Sequence, residues 1–170
     1  MIIRPYKSCD AECIAEWCSE RTVFENWGGE RFGQFPINAD IINDKYLNKN
    51  GDCTESDNFY PMTAAENGRP LGHFIIRYTN GDRRILRFGW VIVDSNIRGK
   101  GIGRAMLKLA LKYAFQILGA EKVTIGVFEH NQQAYRCYRA VGFDTAPSAP
   151  HEENVVELEI KKDDYDNMTF

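Results

Sequence analysis

An α+β fold, with a mixed but mostly antiparallel sheet and helices on both of its faces, is the class this 170-residue chain predicts. Three observations carry it. Apolar stretches separated by Asn67-Gly68 and Asn80-Gly81 predict an antiparallel meander, because both residue types tolerate the positive φ of a tight hairpin turn. A helix-period segment from Arg104 to Leu118 runs into an alternating one from Val123 to Phe128. Near the end, Val156, Leu158 and Ile160 alternate with Glu157, Glu159 and Lys161, the pattern of a strand with one face in water.

The elements follow in order. Ile2 to Tyr6 reads as a short strand, after which Ser8 or Asp10 can cap a helix that turns Cys13, Ile14 and Trp17 inward. From Glu25 to Ser56 the pattern weakens around Gly28-Gly29, Pro36 and Asn48 to Gly51, with one helix expected from Ala39 to Leu47. Variable stretches of this kind often shape substrate pockets. Strands are expected over Phe59 to Glu66, Leu71 to Tyr78 and Arg84 to Asp94. In the following helix Arg104, Lys108, Lys112 and Gln116 recur every four residues and make one narrow wet stripe, so its wide apolar face packs on the sheet. Asn131 caps a last helix that stops at Val141, where Gly142 supplies the left-handed residue.

Composition narrows the function. The length suits one domain spanning 1–170. With 44% hydrophobic and 26% charged residues the chain is of ordinary globular type. Its formal charge of -3 argues against a nucleic-acid partner. No apolar run approaches the roughly 20 residues of a membrane span, and no secretory signal is visible at Met1 to Pro5, so a cytoplasmic location and no membrane partner are expected. Cys9, Cys13, Cys18, Cys53 and Cys137 are odd in number and form no CxxC pair, which fits neither a disulfide framework nor a metal site.

Chemistry concentrates between Trp90 and Arg104: a buried strand, a loop with Gly99, Gly101 and Gly103, then a helix. Glycines let successive backbone N–H groups converge on an anion, and the helix N-terminus adds partial positive charge. Arg98, Lys100 and Arg104 bring three cations to a net-negative protein, so a phosphate cradle is expected. It is not a Walker loop, since no GxxxxGK followed by Ser or Thr occurs. Nor is it a dinucleotide fingerprint, whose third glycine would fall on Arg104 or Met106.

The loop resembles the acetyl-CoA motif of the GCN5-related N-acetyltransferases, (Arg/Gln)-x-x-Gly-x-(Gly/Ala), matched here by Arg98-Gly99-Lys100-Gly101-Ile102-Gly103. Asn131-Gln132-Gln133-Ala134, Tyr138 and Gly142-Phe143 match the second half of the family pattern. The likeness is strongest from Arg84 to Phe143, absent as a pattern between Glu25 and Ser56, and looks most like the spermidine and ribosomal-protein N-terminal branch. It implies a sheet of six to seven strands splayed at a V-shaped gap, acetyl-CoA as co-substrate without a metal, and direct acetyl transfer to a primary amine. That amine would be a small amine, a polyamine or a protein N-terminus. The resemblance leaves a homodimer open, and an acyl-CoA-binding sensor or interaction module is the alternative. The pyrophosphate would rest on the amides of Arg98 to Arg104, and the pantetheine arm would pair with the strand at Val91, Ile92 and Val93. Asn131 would face that arm or simply cap its helix.

Tyr138, two helical turns after Asn131, is the catalytic candidate: its phenol can protonate the departing sulfur. Tyr135 and Cys137 are expected to pack. No general base carries over, because the glutamate common five residues before the motif asparagine is Gly126 in this chain. Glu25, Glu30, His73 and Glu129 remain as polar options, and His130 belongs to the turn.

Overall fold

The computed structural model describes residues 1–146 and 153–168. The chain begins with strand β1 (Ile2–Pro5) and helices α1 (Asp10–Trp17), α2 (Arg21–Trp27) and α3 (Ala39–Asn43). Strands β2 (Tyr60–Glu66), β3 (Arg69–Thr79) and β4 (Asp82–Val93) come next, then α4 (Ile102–Lys112), β5 (Lys122–Phe128), α5 (Gln132–Val141), β6 (Asp144–Thr145), β7 (Val155–Lys161) and α6 (Lys162–Asp166). The seven strands form one sheet in the order β1-β2-β3-β4-β5-β7-β6, with β4 and β5 parallel and every other neighbouring pair antiparallel. Among the described residues no helix is long and apolar enough to cross a membrane.

The meander forms for the reason its turns predict: Asn67-Gly68 and Asn80-Gly81 all have positive φ, between 50° and 81°. On β3, period-two alternation sends Phe74 and Ile76 into one apolar cluster and Ile75 into another, so the sheet is covered on both faces. Met106, Leu107, Ala110 and Leu111 of α4, with Tyr138 and Val141 of α5, build the first cluster. Residues of α1, α2 and α3, among them Ile14, Trp17, Phe24, Trp27 and Ile42, build the second.

Strand β4 changes sides partway. Register shifts by one residue between the pairs His73↔Ile92 and Ile75↔Gly89, so Trp90 and Val91 bulge opposite Phe74. Trp90 adopts φ 45°, a rare angle for a bulky side chain. The alternation then inverts: Leu86 and Phe88 face the α4 cluster before the bulge, and Val91 and Val93 face it afterwards. Pairing with β5 ends at Phe88↔Ile125, which leaves the last five residues of β4 without a partner on that side.

Several boundaries differ from expectation. Asp10 does not cap α1; it is buried, and its carboxylate receives both terminal nitrogens of Arg4 (2.7 and 2.8 Å), the Thr63 hydroxyl (2.8 Å) and the Lys7 amide (2.9 Å). The expected helix ending at Leu118 is α4 followed by a π-turn over Tyr113–Ile117, and the one ending at Leu47 is α3 followed by a π-turn over Asp44–Asn48. The outer face of β7 is not simply in water: Glu157 is only 12% exposed and makes an ion pair with Arg87. Helix α2 and the short β6 and α6 carried too little periodicity to be expected.

Candidate active site

Where β4 and β5 part, the structure opens two cavities. One, about 620 Å³, is lined by Val91, Ile92 and Val93 of β4, the loop residues Arg98, Gly99 and Gly101, then Ile102, Gly103 and Arg104 of α4, and Asn131, Arg136 and Cys137 on the α5 side. The other, about 320 Å³, lies over Arg77, Arg87, Gly89 and Gly126, with Trp27 and Trp90 on its wall. Asn26, Trp27, Val91 and Tyr138 line both, so the two spaces share a wall to which Tyr138 belongs.

The loop holds its shape from below. Asp94, buried at the end of β4, accepts from the Asn96 amide (2.9 Å), the Asn96 side chain (3.1 Å) and Arg69 (2.8 Å). Gly99 and Gly101 have φ of +79° and +80°, and a Cβ at either would meet nothing within 4 Å. Left-handed backbone with open space above it lets amides point outward, which suits an anionic group. Gly103 differs: its φ is unexceptional, and a Cβ there would make ordinary contacts with Cys137 (3.5 Å) and Val93 (3.6 Å). Arg98 Nε donates to the Val93 carbonyl at 3.3 Å, tethering the guanidinium over the end of the strand.

Of the residues expected around a cofactor, Lys100 alone does not line the large cavity. Its place as the third cation falls to Arg136, three residues after Gln133 on α5, which sequence reasoning missed. The i, i+3 spacing from Gln133 was the available signal. Asn131 accepts from the Ala134 amide at 3.2 Å, so it caps α5 through its carbonyl, and its side-chain NH2 makes no hydrogen bond among the described residues.

Tyr138 is 6% exposed, and burial pushes its phenol well above the ordinary value, so it carries its proton at neutral pH. Its hydroxyl has no hydrogen-bond partner among the described residues. Burial also raises the Cys137 thiol, with Arg104 opposing the shift, which keeps it protonated and a poor nucleophile.

The polar options for a base scatter. Glu25 lies 3.9 Å from Arg21 at an exposed site on α2 and lines neither cavity. Glu129 is exposed in the turn after β5, and Glu30 sits exposed on the wall of the smaller cavity. His73 is wholly buried against Tyr46, whose hydroxyl is 2.9 Å from Nε2, and burial lowers the imidazole to about 3. It cannot reach a substrate. His130 occupies the turn, bonded to Asn26 at 2.6 Å and stacked on Phe128.

Gly126 has a spatial reason. A Cβ there would lie 2.7 Å from Arg87 Nη2 and 2.9 Å from Glu157 Oε1. The bidentate Arg87–Glu157 pair, 2.6 Å at both contacts, therefore fills the space that a side chain at 126 would need. Glu157 enters from β7, directly opposite Gly126 in the register. Sequence reasoning missed it because that pairing joins segments thirty residues apart.

Comparison with known proteins places this geometry in a family. The model of the Acetyltransferase (GNAT) family matches residues 17–143. The spermidine N(1)-acetyltransferase of Escherichia coli strain K12 is 24% identical over 150 residues, 88% of this chain and 76% of its own length. The crystal structure of spermidine N-acetyltransferase from Vibrio cholerae in complex with CoA and spermine superposes with a TM-score of 0.77 at 21% identity, covering 97% of each chain. The aminoglycoside acetyltransferase AAC(6')-Ib, in complex with coenzyme A and kanamycin, gives 0.77 at 16% identity over 97% of this chain and 96% of its own. These likenesses concern the fold.

Proposed function

Because the chain belongs to the acetyltransferase (GNAT) family, we propose that it transfers an acetyl group from acetyl-CoA directly to a primary amine, with residues 1–170 acting as one catalytic domain. The observation that carries this reading is a pair of adjoining cavities that share Trp27, Val91 and Tyr138 in their lining, one suited to an anionic, amide-bearing ligand and the other to an acceptor.

The residues present fit acetyl-CoA. Left-handed Gly99 and Gly101 leave open space above the loop backbone, and Arg98, Arg104 and Arg136 add positive charge for a pyrophosphate. Among the described residues no strand pairs with the β5-facing edge of β4 at Val91, Ile92 and Val93, and that edge offers backbone groups to an amide-bearing arm, with the Val93 carbonyl already accepting from Arg98. Bound there, the co-substrate supplies a thioester-activated acetyl group. As the amine's lone pair forms the N–C bond and the C–S bond breaks, Tyr138 would give its proton to the departing sulfur, and the proton shed by the amine nitrogen would return to the phenolate through water. The aromatic wall of Trp27 and Trp90 excludes water and favours the neutral form of the acceptor amine, the form with a free lone pair.

A panel of amines, incubated with acetyl-CoA and the purified protein and followed by mass spectrometry, tests the activity. A product 42 mass units heavier (the net gain of C2H2O by atomic masses, roughly 42) is expected for at least one primary amine and for none of the tertiary ones. Acetyl-CoA that binds but only hydrolyses slowly with every amine would instead favour the sensor module.

A further inference from the structure

On the premise of amine acetylation, we infer that the acceptor carries an anionic group several bonds from its amine, and that Arg77 receives it. Arg77 on β3 stands directly opposite Arg87 on β4, and both line the acceptor cavity. Like charges directly opposed across a strand pair are destabilising and call for compensation. Arg87 has it: both oxygens of Glu157 are taken up by its two terminal nitrogens. Arg77 does not. It is half-buried and makes no side-chain hydrogen bond or ion pair among the described residues.

Among the described residues no carboxylate of the cavity wall pairs with that cation. Asp52 is held by Lys45 at 2.5 Å. Glu30, Arg31 and Glu153 are exposed on the cavity wall. A polyamine laid along the floor would bring ammonium groups against Arg77 and the paired Arg87, whereas a carboxylate would meet the planar fork of Arg77. Length can be bounded. Arg87, opposite Arg77, precedes Val91 by four residues, at most roughly 13 Å along the bulged strand, so amine and anion would be separated by no more than about that distance. Gly89 adds no side chain to the cavity floor between the two ends, and Trp27 and Trp90 flank it with surface suited to methylenes.

The probes are 6-aminohexanoate, its amide 6-aminohexanamide, 5-aminopentyl phosphate and spermidine, titrated against the full chain with saturating CoA and read by tryptophan fluorescence, since Trp27 and Trp90 line the cavity. The carboxylate is expected to bind at least about tenfold tighter than its amide, corresponding to one charge-assisted contact. That ratio should fall to within about twofold in Arg77→Gln and be largely kept in Arg77→Lys. Phosphate binding above the amide supports the inference with phosphate as the anion. A ratio near one in the wild-type protein, or spermidine binding best, overturns it, and the wild-type measurement decides even if a variant fails to fold. Binding is read without turnover, so the two readings fail separately. An anion preference with no acetylated product would sink the transferase reading alone, and acetylation indifferent to the anion would sink this one alone.

Discussion

Tyr138 and His73 are both buried hydrogen-bonding side chains, yet they have opposite fates. Tyr138 belongs to the wall that two cavities share, its hydroxyl without a partner among the described residues, while His73, on β3, is buried and stacked on Tyr46. Tyr138→Phe keeps the ring and removes only the proton donor, so kcat should fall by roughly 10² to 10⁴ with acetyl-CoA affinity unchanged, as single-turnover rates and calorimetry would report. His73 bears on stability instead. Its Nδ1 lacks a hydrogen bond of proper geometry, and burial holds the ring neutral down to about pH 3. The unfolded chain takes up that proton below about 6.5, so between the two values the unfolded state holds more protons and stability falls as pH falls. Chemical denaturation at pH 6.5 and 5 should show a loss of up to ~1.4 kcal/mol per pH unit from this group. His73→Phe should flatten that slope even as it lowers stability overall, and an unchanged slope would assign the acid sensitivity elsewhere.

Strand β4 and its loop are where local sequence and tertiary demand diverge. The loop was legible because its glycine spacing is a local property, and Gly99 and Gly101 indeed take left-handed angles. Gly101→Val should abolish measurable acetyl-CoA binding by placing a branched side chain where the amides must be approached, and the strained φ should cost about 1–2 kcal/mol of stability. Gly103→Ala, with ordinary contacts waiting, should leave melting within about 0.5 kcal/mol of wild type. Asp94 was missed as a support: its bonds to Asn96, two residues on, make a local turn that the spacing allowed, whereas Arg69 reaches it only in three dimensions. Asp94→Ala returns those exposed donors to water, so a loss of about 0.5–1.5 kcal/mol is expected, together with weaker acetyl-CoA binding through a loosened loop. The same limit hid Glu157 and the reason for Gly126. Period-two alternation put Glu157 on the polar face of its strand but could not say that this face meets Arg87. The inversion at Trp90 was equally invisible, because one extra residue in a bulge leaves no mark on an apolar run.

At the scale of the molecule, the order of strands and helices was readable because hairpin turns, helix caps and alternation are short-range signals. The acceptor region between Glu25 and Ser56 was not, since its short helices and turns draw their stability from an aromatic cluster of Trp27, Phe32, Tyr46, Phe59 and Trp90 contributed by distant segments. Arg87–Glu157 fills the space over Gly126 and His73 is sealed away, so the acceptor amine is expected to arrive neutral by its own ionisation. Accordingly kcat/KM should rise with pH along the ionisation of each amine and shift between amines of different basicity; one acid limb fixed near 6 to 7 for all of them would reveal an enzyme-borne base. The short parallel seam has a further consequence. Four residue pairs, Ile85↔Lys122 to Phe88↔Ile125, join the β1–β4 half of the sheet to the β5–β7 half, whereas β3 and β4 pair over most of their length. A ligand laid along the open edge of β4 would act as a splint across that seam. Native-state hydrogen exchange should therefore find the amides of β4 and β5 next to the opening among the first of the sheet to exchange in the free protein, and the ones most slowed when acetyl-CoA is added.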